Sequence, residues 1–268
     1  MKGTVKFETK VMLLQRLIIC ATFSTASKRL NCYLKSHNSL TTFENSYSNA
    51  DYRRSIKKNT EPLIGRNVQL RAICNNFTQS SICTEPEFLQ NACIRFPVIL
   101  AKVVRLRLMS TIKLLNDPSL NHLQIVYLVR DPRGTINSRF GVIDWCGKSE
   151  DCIDPRKLCG DISNDLEAFA LLAASFPGRL SLLKYETLAN RPYETFQQIF
   201  NFIDLPFLAP INKTIADHTS RNKVGSGSTH RYSFTRSDLW KRKLNRTKIA
   251  EIQKACTGVH EKLGQPLM

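Results

Sequence analysis

The chain has 268 residues, 42% of them hydrophobic, which suits one large domain or two small ones around an ordinary apolar core. Its 39 Lys and Arg against 22 Asp and Glu leave a formal net charge of +17, favouring anionic partners such as phosphates, sulfated sugars or acidic surfaces. No repeat or low-complexity tract is visible, and no run of mixed aromatic and basic residues points to nucleic acid, so that partner is not indicated beyond the charge itself.

Near the N-terminus, residues 11–26 ("VMLLQRLIICATFSTA") are apolar apart from Gln15, Arg16 and a few hydroxyls. The stretch falls short of the ~20 residues a spanning helix needs, and a charge interrupts it. A weak signal peptide or membrane anchor and a buried strand or helix are both open readings. Residues 27–66 are polar and basic, with "RRSIKK" at 53–58, and read as loop or linker.

From about residue 68 the texture changes. "EFLQNACIRF" reads as a helix, and "FPVILAKVVRLR" as a buried strand whose far end carries Lys102, Arg105 and Arg107. "MSTIKLLNDPSL" fits a helix stopped by Pro118. "LQIVYLVR" is apolar on both faces and too short for a helix, the pattern of a central parallel strand. "DISNDLEAFALLAASF" has helical spacing, "GRLSLLKYETL" reads as a strand, and "RPYETFQQIFNFIDL" as a helix with Pro192 in its first turn. This alternation predicts an α/β domain with a parallel sheet, in which ligands gather beyond the carboxyl ends of the strands.

Arg130 stands at such an end, in "LVRDPRGTINSR". The apolar strand delivers it to the ligand edge, Pro132 turns the chain, and "RGTINSR" begins the next helix. Arg130 can offer a two-pronged guanidinium to a phosphate, and Ser138 can add a hydroxyl. Spacing alone leaves a second reading open, in which Arg130 and Asp131 form a salt bridge and Ser138 is an incidental helical residue.

The nine cysteines form no CxxC pair, so a zinc site is not indicated. Cys146, Cys152 and Cys159 fall in a loop-like stretch, and disulfides in an oxidising lumen are favoured over buried thiols. Sequons at Asn76, Asn212 and Asn245 are no more than chance supplies, so they carry no weight for glycosylation. "KVGSGSTH" at 223–230 lacks the Walker spacing and follows no strong strand, so it reads as a loop rather than a phosphate cradle. For the same reasons a P-loop kinase or NTPase is disfavoured.

"LVRDPRGTINSR" resembles the 3′-phosphate motif of carbohydrate sulfotransferases that use PAPS (3′-phosphoadenosine 5′-phosphosulfate), and is most similar to the Golgi branch that sulfates the 6-hydroxyl of GlcNAc, Gal or GalNAc. "AKVVRLR", "LLKYETLANRPYETFQQIFNFIDLPF", "DHTSRNKVGSGSTHRYSFTRSDLWKRKL" and "IAEIQKACTGVHEKLG" resemble further segments of that family in order, over about residues 68–268. The resemblance implies a P-loop-NTPase-like sulfotransferase fold with a central parallel sheet flanked by helices. Residues 1–67 are then an unassigned N-terminal segment and 68–268 a partial sulfotransferase domain.

Carried over residue by residue, Arg130 and Ser138 bind the 3′-phosphate of PAPS, with Lys102, Arg105 and Arg242 as further candidates. Tyr185 and Glu186 match the start of the family's Tyr-Glu-Asp, with Thr187 in place of its Asp, and the segment is expected to be mainly structural. Trp240 and Arg242 are expected to clamp the late loop. His218 and His230 are expected to be surface or packing residues, and no catalytic base is assigned. The resemblance implies a glycan acceptor, no metal, and a Golgi setting with a membrane anchor in a full-length form.

The family's Arg-x-Gly-Ser-Ser turn, which holds the 5′-phosphosulfate, has no counterpart in residues 1–67; "IGRNVQ" at 64–69 is the nearest approach. The first strand and its loop are therefore expected to be missing, leaving a sheet of marginal stability unless residues 11–26 supply a replacement. Two functions follow: a carbohydrate 6-O-sulfotransferase, or a non-catalytic sulfotransferase-like protein that at most binds PAP (the desulfated donor) or sulfated glycan.

Overall fold

The computed structural model describes residues 106–141, 152–221 and 230–268 throughout, and the backbone of two further strands, β1 (Leu17–Ala21) and β2 (Ile99–Val103). The chain divides into two compact units, Met1–Ile125 and Val126–Met268.

In the first unit β1 and β2 pair antiparallel, from Leu17 opposite Val103 to Ala21 opposite Ile99. Of the readings open for residues 11–26, the strand is the one adopted over Leu17–Ala21. The antiparallel direction departs from the parallel sheet expected. Strand–helix alternation, on which that expectation rests, starts downstream of β1 and does not constrain it. The helix expected over "EFLQNACIRF" lies outside the described residues. A 3-10 turn at Leu108–Thr111 leads into α1 (Ile112–Leu115), and a second spans Pro118–Leu120. Thr111 is buried here and donates its hydroxyl proton to the Leu108 carbonyl at 2.7 Å, which satisfies a group that burial would otherwise penalise.

β3 (Gln124–Val129) opens the second unit's α/β core. Ile125, Val126, Tyr127 and Val129 are all buried, so both faces are covered, as their apolar run predicts. α2 (Pro132–Phe140) and α3 (Pro155–Ser175) then cross to β4 (Leu180–Lys184), β3's hydrogen-bonded neighbour. Helical crossovers are what parallel neighbours require. α3 buries Leu158, Ile162, Ala168 and Leu172 along one stripe. That stripe packs against α2, β4, α8 (Arg246–Ala255) and α9 (Thr257–Leu263). Ile252 on α8 is fully buried, a side chain worth about 1.5–3 kcal/mol of burial.

Three Asp-Pro pairs punctuate the chain in one way. Asp117, Asp131 and Asp154 each cap a helical segment by accepting from a main-chain N–H two residues on, with Pro as the first helical residue. The third pair starts α3 at Pro155, six residues before the "DISND" start expected from sequence. Cys159 therefore lies on a helix rather than in a loop, and it is bonded to Cys256. Cys152 is also disulfide-bonded.

Two other boundaries differ from expectation. The strand expected through "KYETL" ends at Lys184, and Tyr185–Asn190 forms a short helix, α4, followed by α5 (Pro192–Phe202). Tertiary partners of Tyr185 and Glu186, described below, outweigh the strand preference of Tyr and Thr. The C-terminal helix is two helices, α8 and α9, broken at Cys256, which leaves helical geometry at φ −118°. α6 (Ala209–Thr219), a 3-10 turn at Ser233–Thr235 and α7 (Trp240–Lys243) complete the described elements.

Candidate anion-binding site at the end of strand β3

Arg130 follows β3 directly, and its side chain lies along α2 instead of leaving the protein. Residues 134 and 138 share one face of α2, four positions apart. At the first of these Gly134 offers no side chain: a Cβ there would stand 3.1 Å from Arg130 Nε and 3.4 Å from both Arg130 Nη2 and Trp240 Cδ1. The guanidinium occupies that space and donates from Nη1 to Ser138 Oγ at 2.8 Å. Nη2 donates weakly to the Arg236 carbonyl at 3.4 Å. The Tyr185 ring covers the guanidinium at 4.3 Å, a cation–π contact.

Donors remain unspent in this arrangement. Arg130 Nε is buried with no hydrogen-bond partner among the described residues. Ser138 is exposed and uses a lone pair to accept from Arg130, so its own proton stays available. A buried cationic N–H without an acceptor is costly, and an anion at this edge would relieve it.

Beneath the pair lies a buried polar frame. Arg133 holds Asp131 through two parallel contacts, Nε to Oδ1 at 3.0 Å and Nη2 to Oδ2 at 2.8 Å. It also donates from Nη1 to Gln253 Oε1 and to the Pro266 carbonyl, each at 2.9 Å. Its guanidinium stacks 4.1 Å from the buried Trp240 ring. Asp131 therefore fills the positive end of α2 and is itself neutralised by Arg133. An anion approaching β3 finds that helix terminus taken and Arg130 with Ser138 still offering donors.

Glu186 closes the frame by accepting from the Asp131 main-chain N–H at 3.0 Å. Burial pushes its carboxyl above the ordinary glutamate value, Asp131 repels its charge, and the Asp131 N–H and Arg130 act in the opposite direction. His260 is buried nearby with Nδ1 paired to Gln265 Oε1 at 2.9 Å, and its pKa is lowered chiefly by burial, with Arg133 adding to it.

Of the residues expected at the site, the structure joins Arg130 and Ser138 directly. Tyr185 and Glu186, expected to be mainly structural, touch the same cluster. Trp240 packs under Arg133, whereas Arg242 is exposed on α7. Lys102 lies on β2 with its side chain outside the described residues, as do Arg105 and the 222–229 stretch. His218 and His230 stack on one another at 4.1 Å. Two contributors went unnoticed in the sequence. Gly134 was legible as the midpoint of the eight-residue separation between Arg130 and Ser138; the Arg236 carbonyl, a main-chain group, leaves no sequence signal.

A family model described as "Sulfotransferase domain" matches residues 69–265. The chain is 28% identical over 193 residues to carbohydrate sulfotransferase 1 of Homo sapiens, covering 65% of this chain and 46% of that protein. It is 29% identical over 209 residues to carbohydrate sulfotransferase 5 of Homo sapiens, covering 69% and 50%. Similarity to carbohydrate sulfotransferase 3 of Tetronarce californica is 27% over 193 residues, covering 66% and 44%. The chain thus spans about half the length of these curated relatives. A solved sulfotransferase domain from the curacin biosynthetic pathway has the same fold, with a TM-score of 0.52, 14% identity, and coverage of 75% of this chain and 78% of that one.

Proposed function

The chain belongs to the sulfotransferase domain family, and on that premise we propose that it is a carbohydrate 6-O-sulfotransferase whose Arg130 and Ser138 receive the 3′-phosphate of PAPS. One observation carries the reading: at the carboxyl end of β3, Arg130 and Ser138 are joined at 2.8 Å and still hold unspent donors. A phosphate dianion takes up the Arg130 N–H groups and the Ser138 hydroxyl proton together, which a singly placed lysine could not match. Tyr185 fixes the guanidinium plane, and the Arg133–Asp131 pair fixes the start of α2 from which Ser138 projects.

In the transfer itself an acceptor hydroxyl on a GlcNAc- or Gal-type sugar forms a new bond to sulfur. The bond from sulfur to the 5′-phosphate oxygen breaks, the hydroxyl proton passes to a base, and PAP departs. The residues named here bind and orient the donor. A Golgi-type oxidising lumen fits the Cys159–Cys256 disulfide. The unassigned 1–67 segment with a partial transferase domain over 68–268 is part of the same proposal.

Calorimetric titration of the full chain with PAP tests it. Arg130→Ala removes charge-assisted bonds worth about 1.5–3 kcal/mol, a loss of roughly 10- to 150-fold in affinity. Ser138→Ala is expected to weaken binding less. Equal affinity of parent and Arg130→Ala would refute the assignment. A second reading, PAP or sulfated-glycan binding without transfer, is favoured by the lack of any Arg-x-Gly-Ser-Ser run in the sequence. Binding of PAP with no sulfate transferred from PAPS to any sugar acceptor would select it.

A further inference from the structure

Arg133 reaches further than the Asp131 carboxylate. It is buried, and both N–H groups of its Nη1 are spent elsewhere, on Gln253 Oε1 and on the Pro266 carbonyl, each at 2.9 Å. Those two acceptors are themselves tied together. Gln253 Oε1 also accepts from Met268 N, and its amide Nε2 donates to the Met268 carbonyl, both at 3.1 Å. Residues 265–268 return to this place because Gly264 takes a left-handed φ of 62°. Gln265 N then donates to the His260 carbonyl at 2.9 Å, a reversal that commonly ends a helix. The Lys184 ammonium fixes its start by donating to the Leu263 carbonyl at 2.7 Å. Leu267 and Met268 leave 54% and 72% of their surface to solvent, so burial of those side chains does not account for the segment's placement. Its main chain does, by serving Gln253 and Arg133.

We propose that Gln253 is a positioning residue for the donor site, acting through Arg133, with residues 265–268 as the strap that steadies it. A guanidinium buried beside one carboxylate still needs acceptors for its remaining N–H groups, and without them it is drawn toward water. Arg133 cannot shift alone. It grips the Asp131 carboxylate, which in turn caps α2 by accepting from Arg133 N at 2.8 Å. Asp131 adjoins Arg130 in the chain, so the same displacement moves the backbone from which Arg130 reaches Ser138. Trp240 supplies a second route. It lies 4.1 Å under the Arg133 guanidinium, and its Cδ1 is 3.4 Å from where a Cβ on Gly134 would stand, the space Arg130 occupies. The inference rests on the reading of Arg130 and Ser138 as the 3′-phosphate site. It adds a support on α8, 120 positions along the chain from Arg133.

The test titrates the full chain with PAP at neutral pH, beside thermal unfolding and amide hydrogen exchange. Gln253→Met removes the acceptor at similar volume, whereas Gln253→Glu keeps an acceptor for Arg133 and for Met268 N. Gln253→Met should weaken PAP binding by about tenfold, within the span of changes that reach a site through packed neighbours. Gln253→Glu should bind close to the parent. In Gln253→Met the Arg133 and Thr135 amides, both bonded to Asp131, should exchange faster relative to those of α3. Ile252→Val, at a fully buried position on the same helix, is the control for a merely structural loss. It should lower Tm while leaving PAP affinity and exchange at Arg133 unchanged. Unchanged PAP affinity in Gln253→Met overturns the proposal, as does an equal loss in Gln253→Glu. So does a matching loss of affinity in Ile252→Val. A parent chain that binds no PAP refutes the donor reading instead. The hold of Gln253 on α2 then stands if the Arg133 and Thr135 amides quicken in Gln253→Met, and falls if they do not.

Discussion

Gly134→Ala separates binding from folding at the proposed phosphate site. The new methyl group would lie 3.1 Å from Arg130 Nε, inside the ~3.5–4.0 Å of an ordinary contact, so the guanidinium must move by a few tenths of an ångström. It cannot move toward Trp240, which is buried, is stacked under Arg133, and is itself 3.4 Å from the new methyl. Movement away stretches the 2.8 Å contact with Ser138 beyond the ~2.7–2.9 Å range of a charge-assisted bond. One such bond is worth about 1.5–3 kcal/mol, so PAP affinity should fall roughly 10- to 150-fold. Stability should move little, because alanine gains about 0.8–1.0 kcal/mol over glycine inside a helix and offsets part of the clash. Gly160→Ala on α3 is the control: nothing lies within 4 Å of its added methyl. It should raise Tm by about 2–4 °C and leave PAP binding alone. Calorimetric titration and thermal unfolding of both variants give the two readouts. A folded Gly134→Ala that binds PAP as tightly as the parent would show that the position of Arg130 does not govern the site.

Arg133→Ala strands the Asp131 carboxylate in a buried setting and should cost about 3–5 kcal/mol, read from the urea midpoint followed by circular dichroism. Loss of the Cys159–Cys256 bridge, whose ends are separated by 97 positions in sequence, should lower stability by up to about 4.7 kcal/mol; unfolding of Cys159→Ser/Cys256→Ser beside the parent measures it. Glu186 has a folded pKa raised above 4.5, so between that value and the raised one the folded state holds more protons than the unfolded state, and stability falls as pH rises. Glu186→Gln lacks this slope, so its advantage over the parent should be absent at about pH 4 and present at about pH 7.5 in urea unfolding. An equal difference at both pH values would contradict it.

β3 and α5 were legible because their signals are local and mutually consistent: a two-sided apolar run in the first, and a Pro at the start of an amphipathic stretch in the second. The start of α3 was equally legible in Asp154–Pro155, but the stronger-looking "DISND" drew the boundary downstream. α4 was not legible, since Tyr185 turns away from strand geometry to meet Arg130 and Glu186 to meet the Asp131 N–H, partners 55 residues distant in sequence. At the site, Arg130 and Ser138 could be named from the motif. The reason they meet, a missing side chain at Gly134, becomes visible only once eight residues are wound into two helical turns.

The Cys159–Cys256 bond also turns part of the chain into a covalent ring, and the ring divides the site's components between two topological classes. Tyr185, Glu186, Arg236, Trp240 and Gln253 lie on the ring; Arg130, Asp131, Arg133, Gly134 and Ser138 lie on the arm leading into it. Opening the ring leaves the motif's own residues chemically untouched while the five groups on the ring that press on the motif gain slack. Donor affinity should therefore fall as reducing power rises, although neither Cys159 nor Cys256 is among the residues of the Arg130–Ser138 cluster.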